Sequence, residues 1–185
     1  MWIDSEHYWT VVLIGLTPLI LWASWIDYKE KRVPNYLNVF IAITGLIVQI
    51  AFFGLSGIFT GLEGLLLGLG LLIVPWAMYM MGAGDVKLLA AIGVWVGPMT
   101  VLWAFMIGAI IGGITSVIMI ASKRRWTIAK ENLQLAAIKC TNSKLAFSDL
   151  GSVKSLGEKA QLIPYGVPLT AGTLIVILLK FTGQW

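Results

Sequence analysis

Six apolar stretches, Trp9–Ile26, Leu37–Phe53, Gly61–Met81, Asp85–Val96, Met99–Ala121 and Pro164–Phe181, dominate this chain of 185 residues. All but the fourth approach the ~20 residues that cross a hydrocarbon core. Lipid offers the backbone no hydrogen-bond partners, so each crossing segment has to satisfy its own N–H and C=O groups as a helix. The expected fold is therefore all-α, a polytopic membrane protein of six transmembrane helices. The fourth stretch supplies about 18 Å of helix at ~1.5 Å per residue, short enough that a re-entrant segment is the alternative.

Charge chooses between these topologies. With six crossings, the segments Asp27–Pro34, Gly82–Gly84 and Ser122–Ile163 share one side, and together with Lys87 they hold every Lys and Arg except Lys180. The positive-inside rule makes that side cytoplasmic and puts both termini outside. A re-entrant fourth stretch would separate the basic Lys29-Glu30-Lys31-Arg32 loop from the Lys123-Arg124-Arg125 cluster. The reading is one membrane-embedded domain over residues 1–185, in the inner membrane, with a cytoplasmic loop at 122–163. The first part of that loop alternates Trp126, Ile128, Leu133, Leu135 and Ile138 with Lys130, Glu131, Gln134 and Lys139, the pattern of an amphipathic helix lying on the membrane surface.

Only 12% of residues are charged, against about a quarter in soluble domains, so the net charge of +4 is read as orienting the chain against anionic lipid, with no nucleic-acid partner. Asp4 and Glu6 stand where a signal peptide carries basic residues, so the first apolar run is expected to stay as a span. Tryptophans fit the frame: Trp9, Trp95 and Trp185 fall at the expected outer interface and Trp25 and Trp126 at the inner one, while Trp22, Trp76 and Trp103 lie deeper and are expected to pack. The pairs Gly64/Gly68, Gly93/Gly97 and Gly108/Gly112 each put two glycines on one helix face and read as helix-packing seams.

A single cysteine, Cys140, and a single histidine, His7, exclude an internal disulfide, a paired-cysteine zinc site and an H-E-x-x-H metalloprotease. No metal or cofactor is called for. A serine intramembrane protease is set aside because His7 lies on the wrong side. Acids at membrane depth are costly and tend to be functional. Glu63, near the outer end of its span, can reach water and reads as structural. Asp27 ends the first span and Asp85 begins the fourth, so topology puts both carboxyl groups at one depth on the cytoplasmic side. Two carboxyl groups sharing a site can hold one proton between them, and the ionised one can deprotonate a water for attack on a peptide carbonyl.

Three strings, Asp27-Tyr28-Lys29-Glu30-Lys31-Arg32-Val33-Pro34-Asn35, Gly82-Ala83-Gly84-Asp85-Val86-Lys87-Leu88-Leu89 and Pro164-Tyr165-Gly166-Val167-Pro168, resemble the type IV prepilin peptidases in order, spacing and topology. The resemblance covers nearly the whole chain, and its short form looks like the peptidases of tight-adherence (Flp) pilus systems, with the archaeal preflagellin peptidases as the related alternative. It implies catalytic roles for Asp27 and Asp85. It also implies removal of the short basic leader of a prepilin or pseudopilin at the cytoplasmic face. Larger family members add a paired-cysteine region and N-methyltransferase activity, so the expectation here is a peptidase without methylation. Gly82 and Gly84 are expected to leave room for an extended substrate, Lys87 to offset charge near the site or meet lipid phosphate, and Pro34 and Asn35 to start the second span. The rival readings are a non-catalytic membrane subunit of a pilus or secretion assembly and a proton-coupled transporter.

Overall fold

A computed structural model describes residues 5–30, 33–77, 82–122 and 165–183. The loop at 123–164, with the amphipathic segment, the Lys123-Arg124-Arg125 cluster, Trp126, Cys140 and Pro164, lies outside the described residues, as do Lys31, Arg32 and Trp185.

The described residues form six helices and no strands: α1 (Ser5–Glu30), α2 (Asn35–Phe53), α3 (Leu55–Ala77), α4 (Ala83–Val96), α5 (Pro98–Ser122) and α6 (Gly166–Phe181). Four contain segments long and apolar enough to cross a membrane: His7–Glu30, Asn35–Phe53, Leu55–Ala77 and Pro98–Ile118. The sequence suggests six such helices. Among the described residues α6 is apolar but shorter, and α4, with 14 residues, reaches about 21 Å, against roughly 30 Å of hydrocarbon.

Burial explains how so short a helix is held. From Asp85 to Val96 every residue of α4 except Lys87 is buried, whereas α1, α2, α3 and α5 each turn a row of large apolar side chains outward, among them Ile14, Ile47, Leu66 and Ile110. A helix apolar all round belongs inside a bundle, and one with an exposed apolar face belongs against lipid. α4 packs mainly on α3 and α2, while α6 packs on α5 and α1. Small residues make these contacts close. Gly64 of α3 and Gly93 of α4 lie backbone against backbone, with no space for a Cβ on either, and Gly172 of α6 meets Gly108 and Ala104 of α5 in the same way. Gly97 belongs to the Gly64–Gly93 seam, its backbone carbon 3.2 Å from where a Cβ on Gly64 would stand. With φ of 78° it ends α4, its N–H bonded to the Gly93 carbonyl, and only glycine takes that backbone readily.

Trp95 departs from the sequence expectation. It is 3% exposed, its ring pressed on Gly15 of α1 and Gly45 of α2 and its indole N–H donated to the Ile41 carbonyl at 2.7 Å. α4 is too short to carry this side chain to a headgroup layer, and the two glycines open a slot that accepts the indole inside the bundle. Around it the Tyr8 hydroxyl donates to the Trp95 carbonyl, and Gln49 Nε2 reaches both the Tyr8 hydroxyl and the Trp95 carbonyl at 3.1 Å. These donors satisfy a carbonyl at the end of α4 that would otherwise be stranded. Trp22, expected to pack inside, is 54% exposed on α1, where neighbouring lipid serves an indole as well as a protein core would. Trp25 is exposed next to Lys29, whose ammonium sits 4.8 Å from the ring centroid, in keeping with an interfacial position.

Candidate functional site

The opposite end of the bundle from Tyr8 and Trp95 carries the two acids. Asp27 lies three residues before the end of α1, and Asp85 is the third residue of α4. Both are buried, at 3% and 5% exposure. Burying a carboxyl group is costly unless it is paired or hydrogen-bonded, so a site chosen for stability alone would carry apolar residues at both positions.

The link between α1 and α2 and the turn before α4 are built into each other. Pro34 precedes α2 in an extended conformation, φ −67° and ψ 138°, the geometry a proline ring presets, and its carbonyl accepts the N–H groups of Leu37 and Asn38. Gly84 rests on Val33, and a Cβ there would stand 3.1 Å from the Val33 nitrogen. Asn38 Nδ2 donates to the Gly84 carbonyl at 3.3 Å. Lys87 Nζ donates to Asn35 Oδ1 at 2.8 Å on the exposed rim. Gly82, also extended at φ −75° and ψ 147°, sits just before α4 and makes a backbone hydrogen bond to the Asp85 carboxyl group. The residues singled out in the sequence, Gly82, Gly84, Lys87, Pro34 and Asn35, thus form one belt around the start of α4. Lys87 meets Asn35 in that belt.

α6 closes the other side. The N–H of Gly166, its first residue, donates to Asp27 Oδ2 at 3.0 Å. The first N–H groups of a helix lack intrahelical acceptors, and Asp27 fills that need for α6. A Cβ on Gly166 would lie 2.7 Å from the same oxygen, so glycine is required for the approach. Asp27 and Asp85 are near enough to interact electrostatically, and so are Asp85 and Tyr165. Asp85 Oδ1 is buried and has no hydrogen-bond partner among the described residues. Glu63 is exposed and away from this cluster, toward the start of α3. Among the described residues no group of three or more His, Cys, Asp or Glu side chains is placed to hold a metal ion.

Sequence reasoning missed Asn38 as a member of the site. Its signal was a polar residue in the first turn of a largely apolar helix, three residues after Asn35. The Tyr165-Gly166 pair was visible only as part of a string, with no role attached.

The sequence profile of the type IV leader peptidase family matches residues 14–117, a stretch that includes both aspartates and the Val33-Pro34-Asn35 link. Two curated proteins are similar, each named prepilin leader peptidase/N-methyltransferase. The one from Neisseria gonorrhoeae is 27% identical over 134 residues, covering 65% of this chain and 45% of that protein. The one from Escherichia coli (strain K12) is 33% identical over 116 residues, covering 59% of this chain and 51% of that protein. The chain therefore spans about half the length of the curated relatives it matches. No solved structure matches.

Proposed function

We propose that this chain, which belongs to the type IV leader peptidase family, is a membrane-embedded aspartyl endopeptidase that removes the short basic leader of type IV, Flp-like prepilins or pseudopilins. In this reading the protein sits in the inner membrane with its site at the cytoplasmic face, and Asp27 and Asp85 are the catalytic pair. The observation that carries the proposal is the burial of these two carboxyl groups within electrostatic reach of each other at one end of the bundle. The concentration of basic residues on that side supports the cytoplasmic assignment.

The chemistry follows from the pair. One aspartate holds a proton while the other, ionised, takes a proton from a water lying between them, and the water oxygen attacks the peptide carbonyl carbon. The tetrahedral intermediate then collapses as the leaving nitrogen receives a proton from the pair, so no net proton is consumed by the enzyme. Gly166 N–H holds Asp27 in orientation, and the Val33–Gly84 contact with the Asn38 hydrogen bond fixes the turn that presents Asp85. The assignment covers the cleavage step, without N-methylation, because the family match and the aspartate pair both concern peptide hydrolysis.

The test is co-expression with a Flp-type prepilin, following the leader by gel shift and mass spectrometry for wild type, Asp27→Asn and Asp85→Asn. Cleavage by wild type and by neither variant is expected. Cleavage that survives both substitutions would replace this reading with that of a non-catalytic membrane subunit.

A further inference from the structure

The turn that presents Asp85 closes on itself. The Asp85 N–H donates to the Gly82 carbonyl at 3.2 Å, and Gly82 returns a backbone hydrogen bond to the Asp85 carboxyl group. Such a ring fixes its own shape and leaves open how it is turned against the rest of the bundle. Asn38 supplies that link. It stands in the first turn of α2, its backbone N–H donated to the Pro34 carbonyl at 3.4 Å, and its Nδ2 reaches the Gly84 carbonyl at 3.3 Å. That carbonyl and the Asp85 N–H are the two ends of one planar peptide unit. The unit that leads into Asp85 is thus held at its oxygen by α2 and at its nitrogen by Gly82.

Stability does not account for this arrangement. Gly84 is the second residue of α4, where a carbonyl already lies in the helical hydrogen-bond ladder. The last four carbonyls of a helix are the ones that need partners from outside, as the Trp95 carbonyl does. Asn38 is buried, and its Oδ1 has no hydrogen-bond partner among the described residues, a cost that an apolar side chain would not carry. A buried carboxamide that donates to a carbonyl already in the ladder, and leaves its own oxygen unpaired, is explained by the position it imposes.

We propose that Asn38 is a positioning residue for the peptidase reaction: through the Gly84 carbonyl it sets the direction in which the Asp85 carboxyl group meets Asp27, a role that the stability of the fold does not require. The proposal rests on the aspartyl reading above. Asn38 exchanges no proton and touches no reacting atom; it acts through the Gly84–Asp85 peptide unit. Removing its carboxamide therefore slows the chemical step and leaves substrate binding and folding as they are.

The experiment uses the full chain and a prepilin that it cleaves, with Asp27→Asn and Asp85→Asn assayed in parallel. Asn38→Leu keeps the branching of the side chain and removes both the donor and the unpaired oxygen. It is expected to lower kcat at least about 10-fold, toward the ~10²-fold that a displacement approaching 1 Å costs, with KM changed by less than about twofold. Asn38→Ala, which cannot overfill the site, is expected to lose kcat to a similar degree. In the better-fitting of the two, the unfolding midpoint in detergent is expected to be no lower than that of wild type. Wild-type kcat in either variant, a loss confined to KM, or a midpoint lowered in both variants together with kcat would overturn the role. If the aspartate variants lose activity while the Asn38 variants do not, this inference fails alone. If the aspartate variants also cleave, the aspartyl reading fails and this inference fails with it.

Discussion

Asp27 Oδ2 and the backbone nitrogen of Gly166 meet at 3.0 Å across 139 positions of sequence, so the docking of α6 on α1 and the orientation of one proposed catalytic carboxyl group are a single interaction. Gly166 can make it because it has no side chain, and Asp27 can because α6 begins there with an N–H in need of an acceptor. Disturbing the start of α6 is therefore equivalent to disturbing Asp27.

Gly166→Ala puts a methyl group 2.7 Å from Asp27 Oδ2. A displacement approaching 1 Å at a reacting group costs on the order of 10²-fold in rate, and a loss of that size is expected in leader cleavage with the protein still folded. Gly70→Ala is the control, because nothing lies within 4 Å of a Cβ there. Equal activity of the two variants would separate α6 from the site.

The Gly64–Gly93 seam carries stability. A Cβ on either glycine strikes the carbonyl of the other, so α3 and α4 have to move apart. Overpacking of this kind costs about 1–3 kcal/mol. Gly93→Ala should lower the unfolding midpoint in detergent, whereas Gly113→Ala, with open space around it, should not.

Tyr8 and Gln49 stand about 28 Å of helix away from Asp27, counting ~1.5 Å per residue along α1. Tyr8→Phe removes the hydroxyl that donates to the Trp95 carbonyl, and hydrogen bonds inside membrane proteins are worth roughly 0.6 kcal/mol on average and up to about 1.7. A small loss of thermal stability with unchanged cleavage kinetics is expected, and a large loss of cleavage would mean that the two ends of the bundle are coupled.

Lys87 and Asn35 share one exposed hydrogen bond of 2.8 Å that joins the start of α4 to the start of α2. Exposed polar pairs contribute at most about 1 kcal/mol, so Lys87→Ala and Asn35→Ala should each reduce kcat/KM severalfold, and the double variant should be no worse than the more impaired single one. Additive losses would show that the two residues act separately.

Much of this architecture is legible in the chain because hydropathy and charge act on whole segments. The apolar runs become helices, the unusual shortness of the fourth run becomes a short buried helix, and the basic loops mark the side on which Asp27 and Asp85 meet. What hydropathy does not encode is which face of a helix finds a partner. Trp95 reads as an interfacial residue from its place at the end of an apolar run, and only the slot between Gly15 and Gly45 makes it a core residue. Trp22 reads as a packing residue from its depth and faces outward instead. Asn38 and Gly166 enter the site through contacts to Gly84 and Asp27, pairings between distant segments that no local pattern announces.

The central claim is that Asp27 and Asp85 act as one unit on one water. The measurement that reaches it most directly is single-turnover cleavage of a purified prepilin by wild type, Asp27→Asn, Asp85→Asn and the double variant. Groups that work as a unit lose nearly everything at the first removal. Each single variant is therefore expected to fall to the rate of the double variant, while still binding the substrate. Two partial losses that multiply in the double variant, or a single variant that retains wild-type cleavage, would contradict the account.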